Sequence, residues 1–119
     1  MNDILKHIID STPGAKAAIL MGFDGIAVEQ MLAEGHEETD IESMAMEFSF
    51  RFIELKEAAQ SLELGDLEDV TIKAKYGTFL CRALTDEFFV AVLLADAAGF
   101  GRGRWALRSQ AKALQTELS

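Results

Sequence analysis

The chain has 119 residues, half of them hydrophobic, which is enough for one compact domain with a real core and too few for a second. Twenty acidic against eleven basic residues give a net charge of -9, a balance that repels phosphate backbones and anionic lipid, so neither nucleic acid nor insertion into a membrane is expected. No apolar run reaches bilayer length, Cys81 has no companion for a disulfide or a thiolate metal site, and the N-terminus lacks the basic head of a signal peptide, so the expected location is the cytoplasm.

Asn2 or Asp3 is placed to cap a first helix with Ile4, Leu5, Ile8 and Ile9 on one side, and Ser11-Thr12-Pro13-Gly14 ends it. Ala17 to Met21 reads as a buried strand, Gly22-Phe23-Asp24-Gly25 as a tight turn, and Ile26 to Met31 as the returning strand, which leaves an aromatic residue at the hairpin tip. The acidic loop Ala33 to Glu38 leads into the longest helix, predicted from Ile41 to Leu62, with Thr39 and Glu42 as a capping box and Gly65 as the stop. Ile41, Ala45, Phe48, Phe52, Leu55, Ala59 and Leu62 draw one apolar stripe suited to covering a sheet. Met46, Phe50 and Ile53 draw a second, on the opposite side. A helix apolar on two sides needs cover on two sides, either from a loop of its own subunit or from a second copy, and in so small a chain the second copy is the expectation.

Leu67 to Lys75 then alternates, with Val70, Ile72 and Ala74 against Asp69, Thr71, Lys73 and Lys75, as a strand with one wet face. Thr78 to Leu84 follows. Phe88 to Ala95 contains no polar residue and is expected to be a central strand covered on both faces, so that helices lie on each side of the sheet. The Gly-rich loop Ala98 to Gly103 opens a last helix with a seam of Leu107, Ala111, Leu114 and Leu118. The fold class is therefore α+β, in the order helix, two strands, helix, three strands, helix, with turns short enough to make the strand pairs antiparallel.

Candidate sites are few. Asp24-Gly25 is explained by turn chemistry, but Phe23 either folds back onto the core or stays exposed as a docking anchor. Gly99, Gly101 and Gly103 ahead of a helix invite a phosphate-loop reading, which the spacing and the absence of a following Lys-Ser or Lys-Thr disfavour. Arg102, Arg104, Arg108 and Lys112 gather positive charge on or beside the last helix, either as a solvated face or as a dock for an acidic partner segment, with Trp105 among them. His7, His36 and Cys81 fall on three different elements without ligand spacing. The acidic loop around Glu34, His36, Glu37, Glu38 and Asp40 lacks a calcium pattern. No catalytic residue, cofactor or metal is expected.

The element order, the hairpin Ala17-Ala18-Ile19-Leu20-Met21-Gly22-Phe23-Asp24-Gly25-Ile26-Ala27-Val28, and the Gly-rich loop running into Trp105-Ala106-Leu107-Arg108 resemble the Roadblock/dynein light chain family over nearly the whole chain. Within it, Met21 to Glu29 is similar to a group of small bacterial Roadblock proteins of a gliding-motility polarity system. The resemblance implies a single Roadblock domain over residues 1-119, a sandwich of one five-stranded antiparallel sheet with the long helix on one face and the other two on the other. It further implies a homodimer in which the long helices pack together and the strand Leu67 to Lys75 pairs with its twin to make a continuous sheet. Val70, Thr71 and Lys73 then join Met46, Phe50 and Ile53 in the dimer interface. Phe23, Asp24 and Ile26 acquire a partner-binding role, beside Arg102, Arg104 and Arg108. The implied function is a non-enzymatic adaptor in a Ras-like small GTPase system of bacterial cell polarity and gliding motility. Its implied partners are a Roadblock GTPase-activating protein and a response-regulator polarity protein, which would also concentrate it at a cell pole. The rival is direct activation of the GTPase; a small-molecule enzyme built on the glycine loop comes third.

Overall fold

A computed structural model describes every residue from Met1 to Ser119. The elements run α1 (Asn2–Ser11), β1 (Ala15–Gly22), β2 (Ala27–Leu32), α2 (Ile41–Ser61), β3 (Asp69–Ala74), β4 (Gly77–Ala83), β5 (Phe88–Leu94) and α3 (Phe100–Leu118). The five strands form one sheet in the order β2-β1-β5-β4-β3, with every neighbouring pair antiparallel. β5 holds the centre, as its unbroken apolar sequence demands, while β2 and β3 are the two free edges.

Alternation along the strands divides the core in two. Leu20, Val90 and Val92 point to the face covered by α1 and α3, where Leu5, Ile8, Leu107 and Leu114 meet them. Ile19, Met21, Phe89 and Ala91 point to the other face, where Ile41, Ala45, Phe48 and Phe52 of α2 close over them. The layers are therefore the expected ones, two helices on one side and one on the other. α2 crosses β1 and reaches β2, which leaves the same face of β3 and β4 less fully covered.

Helix starts differ from the sequence expectation in three places. α2 is capped by Asp40, not by a Thr39 capping box: the Asp40 carboxylate accepts from the Ser43 N–H at 3.1 Å, and its charge suits the positive end of the helix. Neither Asn2 nor Asp3 caps α1, because the helix already begins at Asn2; Met1 holds the cap position without a side-chain bond, and its ammonium pairs with Glu117 of α3 at 2.8 Å. α3 begins at Phe100, so Gly101 and Gly103 lie inside the helix and only Gly99 precedes it.

The main stripe of α2 buries Ile41, Ala45, Phe48, Phe52 and Ala59, but Leu55 and Leu62 are exposed. Leu55, with Met44, lies on the flank turned towards β3, beyond the reach of the sheet's own cover. On the other flank Ser49 is buried and donates its hydroxyl to the Met46 carbonyl at 2.7 Å, which satisfies it locally.

Candidate functional site

The β1–β2 turn is held by its own backbone. Gly25 donates to the Gly22 carbonyl at 2.9 Å, Gly22 donates to the Ile26 carbonyl at 2.9 Å, and Phe23 donates to the Glu87 carbonyl at 2.9 Å. The Asp24 carboxylate accepts from the Ile26 N–H at 3.0 Å, closing an Asx turn, and Gly25 takes the positive φ of 85° that the turn requires. Phe23 is not an exposed anchor. It is 7 % exposed, its ring edge-on to Phe52 at 5.1 Å and tilted against Phe89 at 5.2 Å, with the Lys56 ammonium 4.2 Å from the ring centroid. Of the three hairpin candidates, Ile26 is the one that presents apolar surface, at 67 % exposure, while Asp24 is exposed with one carboxylate oxygen committed to the turn.

Ile26 has company. Val28, 42 % exposed, is the unpaired residue where the β1–β2 register shifts between the Leu20–Glu29 and Met21–Ala27 pairs, one residue from Ala27, which packs on the α2 side. Met46 approaches the turn, its Cγ lying where it would be 3.4 Å from a Cβ on Gly25, and Phe50 is 55 % exposed. Ile53 is half-buried. Met46 and Ile53 thus stand on the flank beside the β2 edge, while Phe50 stands nearly opposite the buried stripe, on the outer side of α2.

The other residues expected at the dimer interface are elsewhere. Val70 and Ile72 of β3 face the opposite flank of α2, where they line a groove of about 570 Å³ with Met44, Leu55, Phe79 and Leu93. Thr71 and Lys73 point to the far side of the sheet: Thr71 lies by Leu80 and Leu107, and the Lys73 ammonium sits 4.4 Å from the centre of the Phe100 ring of α3. The predicted set is therefore not brought together: Met46 and Ile53 flank the β2 edge, Phe50 is on the outer side of α2, and Val70 lies on one face of β3 with Thr71 and Lys73 on the other. Met44, Leu55 and Ile72 escape the sequence reading, which credits Leu55 to the main stripe and Ile72 to a strand's buried side and gives Met44 no role. The available signal is a shared flank, since Met44 and Leu55 stand eleven residues apart, three full helical turns.

Arg104 and Arg82 share Asp69, at 3.3 Å and 3.5 Å, whereas Arg102, Arg108 and Lys112 stand exposed on α3 without an ion pair. The glycines among them are explained by packing. A Cβ on Gly99 would lie 1.9 Å from the Pro13 carbonyl oxygen, and one on Gly103 would lie 2.6 Å from a Leu80 methyl, so α3 is pressed onto the α1–β1 turn. No group of three or more His, Cys, Asp or Glu side chains converges to hold a metal ion. In the acidic loop, Glu37 accepts hydrogen bonds from its own backbone N–H and, at 3.1 Å, from that of Gly35, and this bonding lowers its carboxyl below the ordinary range. Cys81 is buried, which pushes its thiol well up and leaves it a packing residue. No helix is long and apolar enough to cross a membrane.

No protein-family model matches the sequence, and no curated protein matches it significantly. Solved structures do. MglC from Myxococcus xanthus is 27 % identical, with 97 % of this chain and 96 % of that chain covered, at a TM-score of 0.69. The gliding protein MglB from Thermus thermophilus superposes more closely, at a TM-score of 0.86 over 96 % of this chain and 84 % of that one, but at 13 % identity. A Roadblock/LC7 domain from Streptomyces avermitilis gives a TM-score of 0.85 at 15 % identity, covering 99 % of this chain and 97 % of that one. Sequence thus leans towards MglC while backbone shape lies nearer MglB and the Streptomyces domain. With the α-β-β-α-β-β-β-α order and the five-stranded antiparallel sheet already in hand, these likenesses identify the chain as a Roadblock/LC7-fold protein similar along nearly its whole length to MglC.

Proposed function

We propose that the chain is a non-enzymatic homodimeric adaptor in a Ras-like small GTPase system of bacterial cell polarity and gliding motility. In this reading it joins a Roadblock GTPase-activating protein to a response-regulator polarity protein. The observation that carries the reading is the pair of apolar flanks on α2, each beside a free sheet edge. One flank suffices for a twin; the second is left for a different protein. The β3 side, with Met44, Leu55, Val70 and Ile72 next to an unpaired strand, suits a twofold dimer in which β3 pairs with its copy and the α2 helices lie side by side. The β2 side, with Ile26, Val28 and Met46, suits the Roadblock partner. A dimer offers two such surfaces, so a partner with two matching sites gains avidity.

The test is capture from the source cell with wild-type and Ile26→Glu baits, read by mass spectrometry. The expected result is a Roadblock protein, a Ras-like GTPase or a response regulator held by the wild type and lost with the variant. Their absence from the wild-type capture would overturn the adaptor reading. Stimulation of GTP hydrolysis by the purified protein alone would replace it with direct activation of the GTPase.

A further inference from the structure

The charges of this chain are unevenly placed. From Ala97 to Thr116 there are four cations, Arg102, Arg104, Arg108 and Lys112, and not one carboxylate, although acidic residues outnumber basic ones by twenty to eleven overall. On α1 Lys6 pairs with Asp10 at 2.7 Å, and on α2 Arg51 pairs with Glu47 at 3.1 Å while Lys56 makes no ion pair. On α3, Arg102, Arg108 and Lys112 make no ion pair.

Trp105, the chain's one tryptophan, stands in the middle of this face at 66 % exposure. It is three residues after Arg102 and three before Arg108, so the three side chains are neighbours on the helix surface. Its ring forms a ridge between two grooves. One runs towards α1, past Arg102, Ser109, His7 and Asp10, whose carboxylate is taken up by Lys6. The other, of about 470 Å³, runs towards β3 and β4, past Arg82, Arg104 and Arg108. In that second groove Asp69 serves both Arg82 and Arg104, Glu68 lies at the rim, and the Arg82 Nε is buried without a partner. Three guanidiniums around two carboxylates, of which only Asp69 is engaged, leave hydrogen-bonding forks free for further carboxylates. From Arg102 to Lys112 the cations are spread over roughly 15 Å of helix axis, which calls for an elongated ligand and not a single small anion. Exposed tryptophan among arginines is the composition of a protein-binding hot spot.

We infer that the α3 face around Trp105 docks a carboxylate-rich segment of a partner protein, laid along the two grooves across the Trp105 ridge. This rests on the reading of the chain as an adaptor and names the chemistry of a second partner, on the opposite face of the sheet from α2.

Because Trp105 is the sole tryptophan, the site reports on itself. The full-length protein is titrated with an unlabelled Glu-rich dodecapeptide and with its Gln-for-Glu counterpart, following tryptophan emission. The expected result is a saturable change with the Glu peptide alone, weakened by salt. Arg102→Gln with Arg108→Gln, exposed residues without ion pairs, is expected to weaken binding about tenfold or more, while Arg51→Gln with Lys56→Gln on α2 changes it less than about twofold. An unchanged emission, equal losses in the two double variants, or equally tight binding of single-stranded DNA of matched charge would each overturn the proposal. Peptide binding that persists while the wild-type capture yields no GTPase-system protein would support this surface and overturn the adaptor reading instead.

Discussion

At the scale of single residues, the hairpin shows how burial and function must be separated before either is tested. The Phe23 ring is packed against Phe52 and Phe89, so Phe23→Ala is expected to cost about 3–5 kcal/mol in urea denaturation, a loss large enough to mimic a binding defect. Ile26→Ala, two-thirds exposed, is expected to stay within about 0.5 kcal/mol of wild type. Ile26 is therefore the residue on which a docking role is cleanly read. Asp40 offers a pH test. The Ser43 hydroxyl beside it, and then the hydrogen bond from the Ser43 backbone N–H, hold the Asp40 carboxyl below its ordinary value of 3.8. A carboxyl lower in the folded chain than in the unfolded one adds stability above the unfolded value and loses it as the pH falls through the folded value. Asp40→Asn keeps a capping side chain but cannot titrate, so its stability is expected to fall less steeply than that of the wild type between about pH 5 and pH 2. Thermal denaturation across that range checks it, and parallel curves would remove the cap from the account of acid sensitivity.

At the scale of elements, α3 is fixed by contacts that a glycine count does not disclose. Gly99 faces the Pro13 backbone and Gly103 faces Leu80 and Thr12, while Gly101 has open space around its Cβ position. Gly99→Ala has to displace backbone and is expected to destabilise by about 1–3 kcal/mol or more. Gly101→Ala, inside a helix and unobstructed, is expected to stabilise by about 0.5–1 kcal/mol. The two midpoints in one denaturation series decide the matter, since similar shifts would mean that α3 does not sit against the α1–β1 turn. Three glycines that read as one motif along the chain divide into two packing contacts and one permissive helix position.

At the scale of the whole molecule, the two flanks of α2 set which substitution would break a dimer. Periodicity alone points to Phe50, but Phe50 stands nearly opposite the buried stripe of α2 and does not line the groove of Val70 and Ile72. If the copies join through β3, Ile72→Glu is expected to yield monomers by light scattering, because it puts a charge on the apolar groove beside the pairing strand. Phe50→Glu is expected to leave the dimer intact. The reverse pattern would move the interface to the outer side of α2 and leave the β3 groove for the partner.

What the residues determined by themselves was periodicity and its consequence in layers. The alternation of Leu67 to Lys75, the unbroken apolar run at Phe88 and the four-and-three stepping from Ile41 to Ala59 each depend only on neighbours along the chain, and they define the elements and the central strand. How far a neighbour's cover extends was settled only by packing between distant segments. Phe23 could be buried or exposed on identical local chemistry, and Met46 and Val70 could belong to one interface or two. The outcome depends on α2 crossing the sheet over β1 and not over β4. That crossing is fixed by contacts between residues distant in sequence, Phe48 on Phe79 and Phe52 on Phe23 and Phe89, a three-dimensional fit that no one-dimensional pattern contains.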